Sequence, residues 1–335
     1  MYIGNSEIRV LQAGYGDCIF ISIKKEDCEF NILIDGGLAC TYYNPKNKRC
    51  PKGPLKLLLD ELKSHERRID LLIITHVDGD HILGICKWFE SDFPDSCFVK
   101  EVWLNDDIVV NFSHDLNNTA SDAASLIQIM KDRGISYKND IVRPMCVHND
   151  YCYIRVFAPN VVYRNVMAKK IEDSLNNAAS ENECQSFTIR QLVQRDWNMS
   201  AISDENKASI AFELQTWDGI RSLLLGDAEY EDIIDGFNEI YADREAPLEY
   251  DLVKLSHHGS RNNFHPDFLN MLYSKYYVVS SNGNKFHLPH KEVLAQIIDK
   301  TDSSILFNYR ERMEEMFCEQ DYLDYPLLKD RISTI

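Results

Sequence analysis

Short apolar runs punctuated by glycine, asparagine and aspartate recur along the chain, and at four to six residues they fit buried strands better than helices. Residues 8–11, 18–23 and 31–34 are the first three. The first pair flanks Gly14-Tyr15-Gly16-Asp17, which predicts two strands joined by a tight glycine turn. The third stops at Asp35-Gly36-Gly37, where the carboxylate either caps a turn or belongs to a backbone that comes close to something else. Apolar residues at 55, 57, 58, 59 and 62 change the period to that of a helix. Residues 71–75, Leu-Leu-Ile-Ile-Thr, then read as a buried parallel strand, and residues 82–89 as one face of an amphipathic helix. Further strands are predicted at 99–104, 153–158, 209–216, 222–225, 252–255, 276–279 and 305–308. Helices are predicted at 122–132, 188–194, 230–238 and 291–300. The polar stretch 160–205 breaks this rhythm and carries no chemical motif, so it is expected to be an insertion serving as a lid or partner surface. Residues 1–310 then form one domain, and the acidic, tyrosine-bearing residues 311–335 a tail or helix packed on it.

Three strand ends carry ligand-type side chains. The strand at 71–75 runs into His76, Asp78, Asp80 and His81; the strand at 222–225 into Asp227; the strand at 252–255 into His257 and His258. Carboxylates and imidazoles this crowded repel one another or bury charge at high cost unless a cation sits among them, and alternate positions of one turn can face two cations. A lone aspartate after a strand is usually a turn residue and a lone histidine usually structural. Loops that leave the same edge of a sheet nevertheless meet in space, whatever their separation in sequence. A two-metal hydrolytic centre is the expectation.

Composition narrows the setting. The chain has 335 residues, 44% of them hydrophobic, enough for a sizeable core. It lacks both an apolar run long enough to span a bilayer and an N-terminal secretion signal, which predicts a cytoplasmic protein with no membrane partner. Ten cysteines without C-x-x-C pairs read as reduced, buried or half-buried thiols. The net charge of −17 opposes a polyanionic substrate. Residues 45–52, Pro-Lys-Asn-Lys-Arg-Cys-Pro-Lys, are a candidate basic patch or simply a solvated surface excursion.

His76-Val77-Asp78-Gly79-Asp80-His81 resembles the H-x-[HD]-x-D-H signature of the metallo-β-lactamase fold, in the variant whose second histidine is aspartate. Asp35-Gly36-Gly37, Leu225-Gly226-Asp227-Ala228-Glu229 and Leu255-Ser256-His257-His258-Gly259-Ser260 are similar to the subgroup typified by the C-terminal domain of the competence protein ComEC. Gly14-Tyr15-Gly16-Asp17 and Asn206-Lys207-Ala208-Ser209 follow the same pattern. The resemblance implies a four-layer αββα sandwich of the α/β class. It implies that His76 and Asp78 ligate one divalent metal and Asp80 and His81 the other, with Asp227 bridging and His257 as the last ligand, His258 being a second candidate. Asp80, Asp227 and His258 are the expected catalytic groups. Ser260, Arg261, Asn284 and His287 are placed for substrate binding by position. The pattern departs at two points: the family's free-standing histidine has only His114 and His148 as candidates, leaving room for one metal in place of two, and Leu288 stands where a histidine is expected, with His287 and His290 displaced around it. The carboxylate-rich set admits Mn²⁺ as well as Zn²⁺.

The resulting expectation is a metal-dependent phosphodiesterase or nuclease acting on DNA, with a protein partner in a DNA-handling or anti-phage module. The alternatives are a phosphodiesterase on small or cyclic nucleotides and a binding or scaffold subunit that keeps the fold without turnover.

Overall fold

The computed structural model describes residues 1–105, 118–170, 187–243 and 247–335. His114 and Cys184 lie outside them. Among the described residues fifteen strands assemble into two sheets in sequence order, β1 to β7 in one and β8 to β15 in the other. The first holds β1 (Tyr2–Ile3), β2 (Ser6–Val10), β3 (Ile19–Lys25), β4 (Cys28–Ile34), β5 (Leu71–Ile74), β6 (Glu101–Leu104) and β7 (Ser136–Lys138). The second holds β8 (Cys146–His148), β9 (Cys152–Ala158), β10 (Ala211–Thr216), β11 (Arg221–Leu224), β12 (Leu248–Lys254), β13 (Leu272–Val279), β14 (Ser304–Phe307) and β15 (Ile332–Thr334). The short β7 and β8 give no periodic signal in the sequence.

Each sheet changes character at its fourth strand. β1 to β4 pair antiparallel and β4 to β7 parallel. β8 to β11 pair antiparallel and β11 to β15 parallel. Chain segments long enough for a helix connect the parallel neighbours, and in the second sheet the antiparallel pair β9 and β10 is also joined through helices, those within residues 160–207.

Period-two alternation builds the layers. Leu71 and Ile73 of β5 join Ile8, Ile21 and Ile32 on the face that meets Ile154, Phe212, Leu224 and Val278 of the other sheet. Leu72 and Ile74 point the opposite way, into the helices Pro54–Ser64 and Gly79–Asp92, where Leu58, Leu62, Ile85 and Trp88 are buried. On the far side, Ile233 and Phe237 of helix Tyr230–Ile240 and Val293, Leu294 and Ile297 of helix Lys291–Lys300 cover Phe157, Val253 and Tyr277. Helix, sheet, sheet, helix is the four-layer sandwich that the resemblance implies.

Within residues 160–205 the structure shows helices Val161–Lys170, Ile189–Leu192 and Asp204–Lys207, the second opened by a capping box between Thr188 and Gln191. Asp321, near the C-terminus, accepts from the Ile189 amide and from the Lys291 ammonium, both at 2.6 Å. β15 adds in parallel to β14. The expectation that all cysteines are buried or half-buried is corrected: Cys28, Cys40, Cys50, Cys97 and Cys146 are exposed, because they sit at strand starts, in loops and, for Cys40, on the outer side of the short helix Ala39–Tyr42 rather than on core-facing positions. No helix among the described residues is long and apolar enough to cross a membrane.

Candidate metal centre

The parallel neighbours β4 and β5 end at one edge of the first sheet, and β11 and β12 at one edge of the second. Because the sheets are stacked, these four ends deliver Asp35, His76 to His81, Asp227 and His257-His258 to a common place. It lies at the point in each sheet where antiparallel pairing gives way to parallel, an edge where loops splay apart and side chains can converge.

The loops are held there by close approach. A Cβ at Gly84 would lie 1.9 Å from the Gly36 carbonyl oxygen, so helix Gly79–Asp92 sits directly on the 35–37 turn. The expected tight turn at 14–17 is instead a longer loop that reaches onto the metal turn. The Asp17 amide donates to the Asp80 carbonyl at 3.2 Å, and a Cβ at Gly16 would stand 1.9 Å from that same oxygen. His257 and His258 both adopt left-handed backbone, with φ of 45° and 55°. Two successive non-glycine residues in that region cost free energy that the surrounding structure must supply.

Asp227 Oδ2 is the hub. His81 Nε2 lies 3.4 Å from it, His257 Nε2 3.7 Å and His76 Nε2 3.8 Å. His76 Nε2 also faces Asp78 at 3.7 Å, and His258 Nε2 faces Asp80 at 3.7 Å. The imidazoles of His76 and His81 have centroids 4.1 Å apart. Each ring is turned by a partner at its other nitrogen. His81 Nδ1 meets Asp35 Oδ2 at 2.8 Å; the same oxygen accepts from Thr75 Oγ1 at 2.8 Å, and Thr75 Oγ1 in turn meets His76 Nδ1 at 3.0 Å. His257 Nδ1 meets Asn263 Oδ1 at 3.0 Å, and His258 Nδ1 meets Asp17 Oδ1 at 3.3 Å. With the Nδ1 atoms of His76, His81 and His257 hydrogen-bonded and that of His258 at ion-pair distance from Asp17, four Nε2 atoms are left facing three carboxylates, the orientation that metal-binding histidines need.

The electrostatics report the same crowding. Burial pushes the Asp227 carboxyl up, but His81, His257 and His258 outweigh it and hold the group well below the carboxylate range. Burial pulls His81 down, yet Asp227 and Asp35 raise it well above the usual imidazole value. Burial also lowers His258, which Asp17 and Asp227 raise to about 9. His257 falls below its usual value because burial outweighs Asp227. His76 Nε2, His81 Nε2, both ring nitrogens of His258 and Asp227 Oδ1 are buried without a hydrogen-bond partner. Unsatisfied buried polar atoms are costly, so their concentration at one point indicates a ligand that satisfies them. His76, His81 and Asp227 bring one donor atom each to within 4.8 Å of one another, as do Asp80, His81 and His258. These residues fit divalent cations.

The remaining predicted residues fall elsewhere. Ser260 Oγ accepts from the Asn262 amide, and Arg261 turns its guanidinium to Glu292 at 3.3 Å and to the Asn198 carbonyl at 2.8 Å, so neither is brought to the cluster. Asn284 and His287 line a cleft of about 460 Å³ with Asn282, Tyr309, Glu311 and Arg312. His148 stacks on Tyr153 in β9 and is not among the clustered residues. His290 Nδ1 accepts from the Arg261 amide. The sequence pattern includes Asn206 and Asp17 only as parts of the resemblance, without a role, and leaves out Asn263 and the buried ion pair of Asp17 with Lys254, 2.7 Å long. A lysine inside the apolar strand end Leu252-Val253-Lys254-Leu255 was the available signal, since a buried ammonium needs a partner.

No family model and none of the curated proteins matches this chain. Among solved structures, a possible metal-dependent hydrolase from Veillonella parvula is similar over 99% of this chain and 97% of its own, at 10% identity and a TM-score of 0.43. An isothiocyanate hydrolase from Delia radicum gut bacteria is similar over 98% and 95%, at 11% identity and a TM-score of 0.41. The long form of RNase Z from yeast is similar over 83% of this chain and 37% of its own, at 12% identity and a TM-score of 0.40. At these scores the likeness carries neither family nor activity, which are left to the ligand geometry.

Proposed function

We propose that the chain is a metal-dependent hydrolase, a phosphodiesterase whose substrate is nucleic acid or a nucleotide. The observation that carries this reading is the convergence of four imidazoles on Asp227 and its neighbouring carboxylates. His76, Asp78 and His257 would hold one divalent cation and Asp80, His81 and His258 a second, with Asp227 between them. In this assignment the two adjacent histidines take one cation each, and His257 fills the role for which the sequence offered only His114 and His148. Cations bound there supply an activated water at neutral pH and offset charge on a phosphoryl oxygen.

The protein's own groups do the rest. Asp35, Thr75, Asp17 and Asn263 fix the imidazoles before substrate arrives, so little reorganisation accompanies the reaction. The buried walls exclude bulk water and strengthen each charge interaction. A carboxylate at 78 in place of a third imidazole in the turn makes Mn²⁺ acceptable beside Zn²⁺. The net charge of −17 disfavours a polyanion, and the basic loop at 45–52 offsets it locally. A partner protein with a basic surface would extend the offset.

The test is hydrolysis of bis-p-nitrophenyl phosphate by protein loaded with Mn²⁺ or Zn²⁺, alongside His76→Ala and Asp80→Ala. Turnover in the wild type that both variants abolish is the expected result. Turnover no higher than that of the variants would contradict the proposal.

A further inference from the structure

Beside the cluster, one loop gathers features that the metal ligands do not explain. Lys285 places its ammonium 5.0 Å from the Tyr15 ring centroid and 4.7 Å from that of Phe286, bracketed by two aromatic rings. It forms no ion pair with a carboxylate among the described residues, in a chain with 53 acidic side chains. Phe286 and His287 both take left-handed backbone, with φ of 56° and 52°. This repeats the pair of strained residues seen at His257 and His258, and strain of this kind persists where the surroundings hold a residue in place for use. Phe286 remains 38% exposed.

The loop is bolted to the metal turn. The Asn282 amide donates to the Gly14 carbonyl at 3.0 Å, the Gly14 amide donates to the Tyr309 hydroxyl at 2.7 Å, and Ser280 Oγ donates to the Gly16 carbonyl at 3.1 Å. Gly16 in turn packs on the Asp80 backbone. Tyr15 therefore stands between Asp80 and Lys285, and the cleft lined by Asn282, Asn284 and Tyr309 opens beside it.

We infer that Tyr15, Lys285 and Phe286 form a recognition site for a nucleotide unit, in which the nucleobase stacks on Phe286 and a phosphate oxygen meets Lys285. This rests on the phosphodiesterase reading for the link to chemistry, but the binding itself does not. The chemistry selects the ligand class. An aromatic face accepts any base, and a single lysine on an acidic surface suits one phosphate better than the continuous charge of a duplex, whose binding depends on many basic contacts. The same unit can come from a free nucleotide or from the unpaired end of a strand.

The experiment measures binding at low salt to the chelator-treated chain of 335 residues, so that turnover plays no part, with thymidine 5′-phosphate, ribose 5-phosphate and a thymidine tetranucleotide as probes. Thymidine 5′-phosphate should bind about tenfold tighter than ribose 5-phosphate, on the order of one stacked base. Phe286→Leu should erase that preference. Lys285→Gln should weaken both monophosphates about equally, by severalfold. A tetranucleotide that binds tighter than the monophosphate identifies strand ends as the source, and equal binding identifies free nucleotides. Equal affinity for the two monophosphates in the wild type, or a preference that survives Phe286→Leu, would overturn the inference. Loss of bis-p-nitrophenyl phosphate turnover with base-dependent binding intact would overturn only the hydrolase reading.

Discussion

Asp35 is fully buried and takes hydrogens from Thr75 and His81 at one oxygen, so through Thr75 it orients two imidazoles. Outer partners of this kind tune metal affinity by about 10- to 100-fold. Asp35→Asn should weaken the metal by that factor in a chelator competition while the protein stays folded, because asparagine tolerates the left-handed backbone at φ 55°. Unchanged affinity would show that the Asp35 contact does not set the ring. The adjacent histidines give a second test at this scale. His257 Nε2 faces Asp227 while His258 Nε2 faces Asp80. His257→Ala and His258→Ala should therefore each lower the bound metal from two equivalents to one by elemental analysis. A site that uses only one of them would leave the other variant at the wild-type content.

Strand ends explain what could be read in advance. The clustered side chains at 76–81 were legible as a group because they are close in sequence and follow an apolar run, and Asp227 and the His257-His258 pair because each follows another such run. Which of the two histidines meets which carboxylate depends on the left-handed turn at 257–258, and no side-chain pattern encodes that. Asp17 and Lys254 were illegible as a pair, since their contact joins residues 237 positions apart. Ser260 and Arg261 lie one and two positions beyond the loop yet point elsewhere, because their side chains cap a short turn and pair with Glu292. The helix carrying the metal turn depends on contact between two glycines. Gly84→Ala would drive a Cβ into the Gly36 carbonyl, and overpacking of this sort costs about 1–3 kcal/mol. Urea denaturation should show that loss together with weaker metal binding, and an unperturbed midpoint would mean that the helix can shift freely.

At the scale of the molecule, the site exists only where the two sheets meet. His76, Asp78, Asp80 and His81 come from the first sheet's loops and Asp227, His257 and His258 from the second's, and the buried Asp17–Lys254 pair crosses the same seam. Burial opposes the Asp17 charge, but Lys254 and His258 hold its carboxyl far below the usual range. Removing one partner of a buried pair costs about 3–5 kcal/mol, because the other charge is left unmatched. Lys254→Met should lose that much in urea unfolding, and Lys254→Met with Asp17→Asn should recover part of it; additive losses would mean the two side chains are not coupled. The central claim, that two cations join the halves of the chain, is tested most directly by the metal content of purified protein after saturation with Mn²⁺ or Zn²⁺ and removal of excess ion. The account predicts two ions per chain, with a clear loss in Asp227→Ala. A wild-type content below one ion, unchanged in Asp227→Ala, would contradict it.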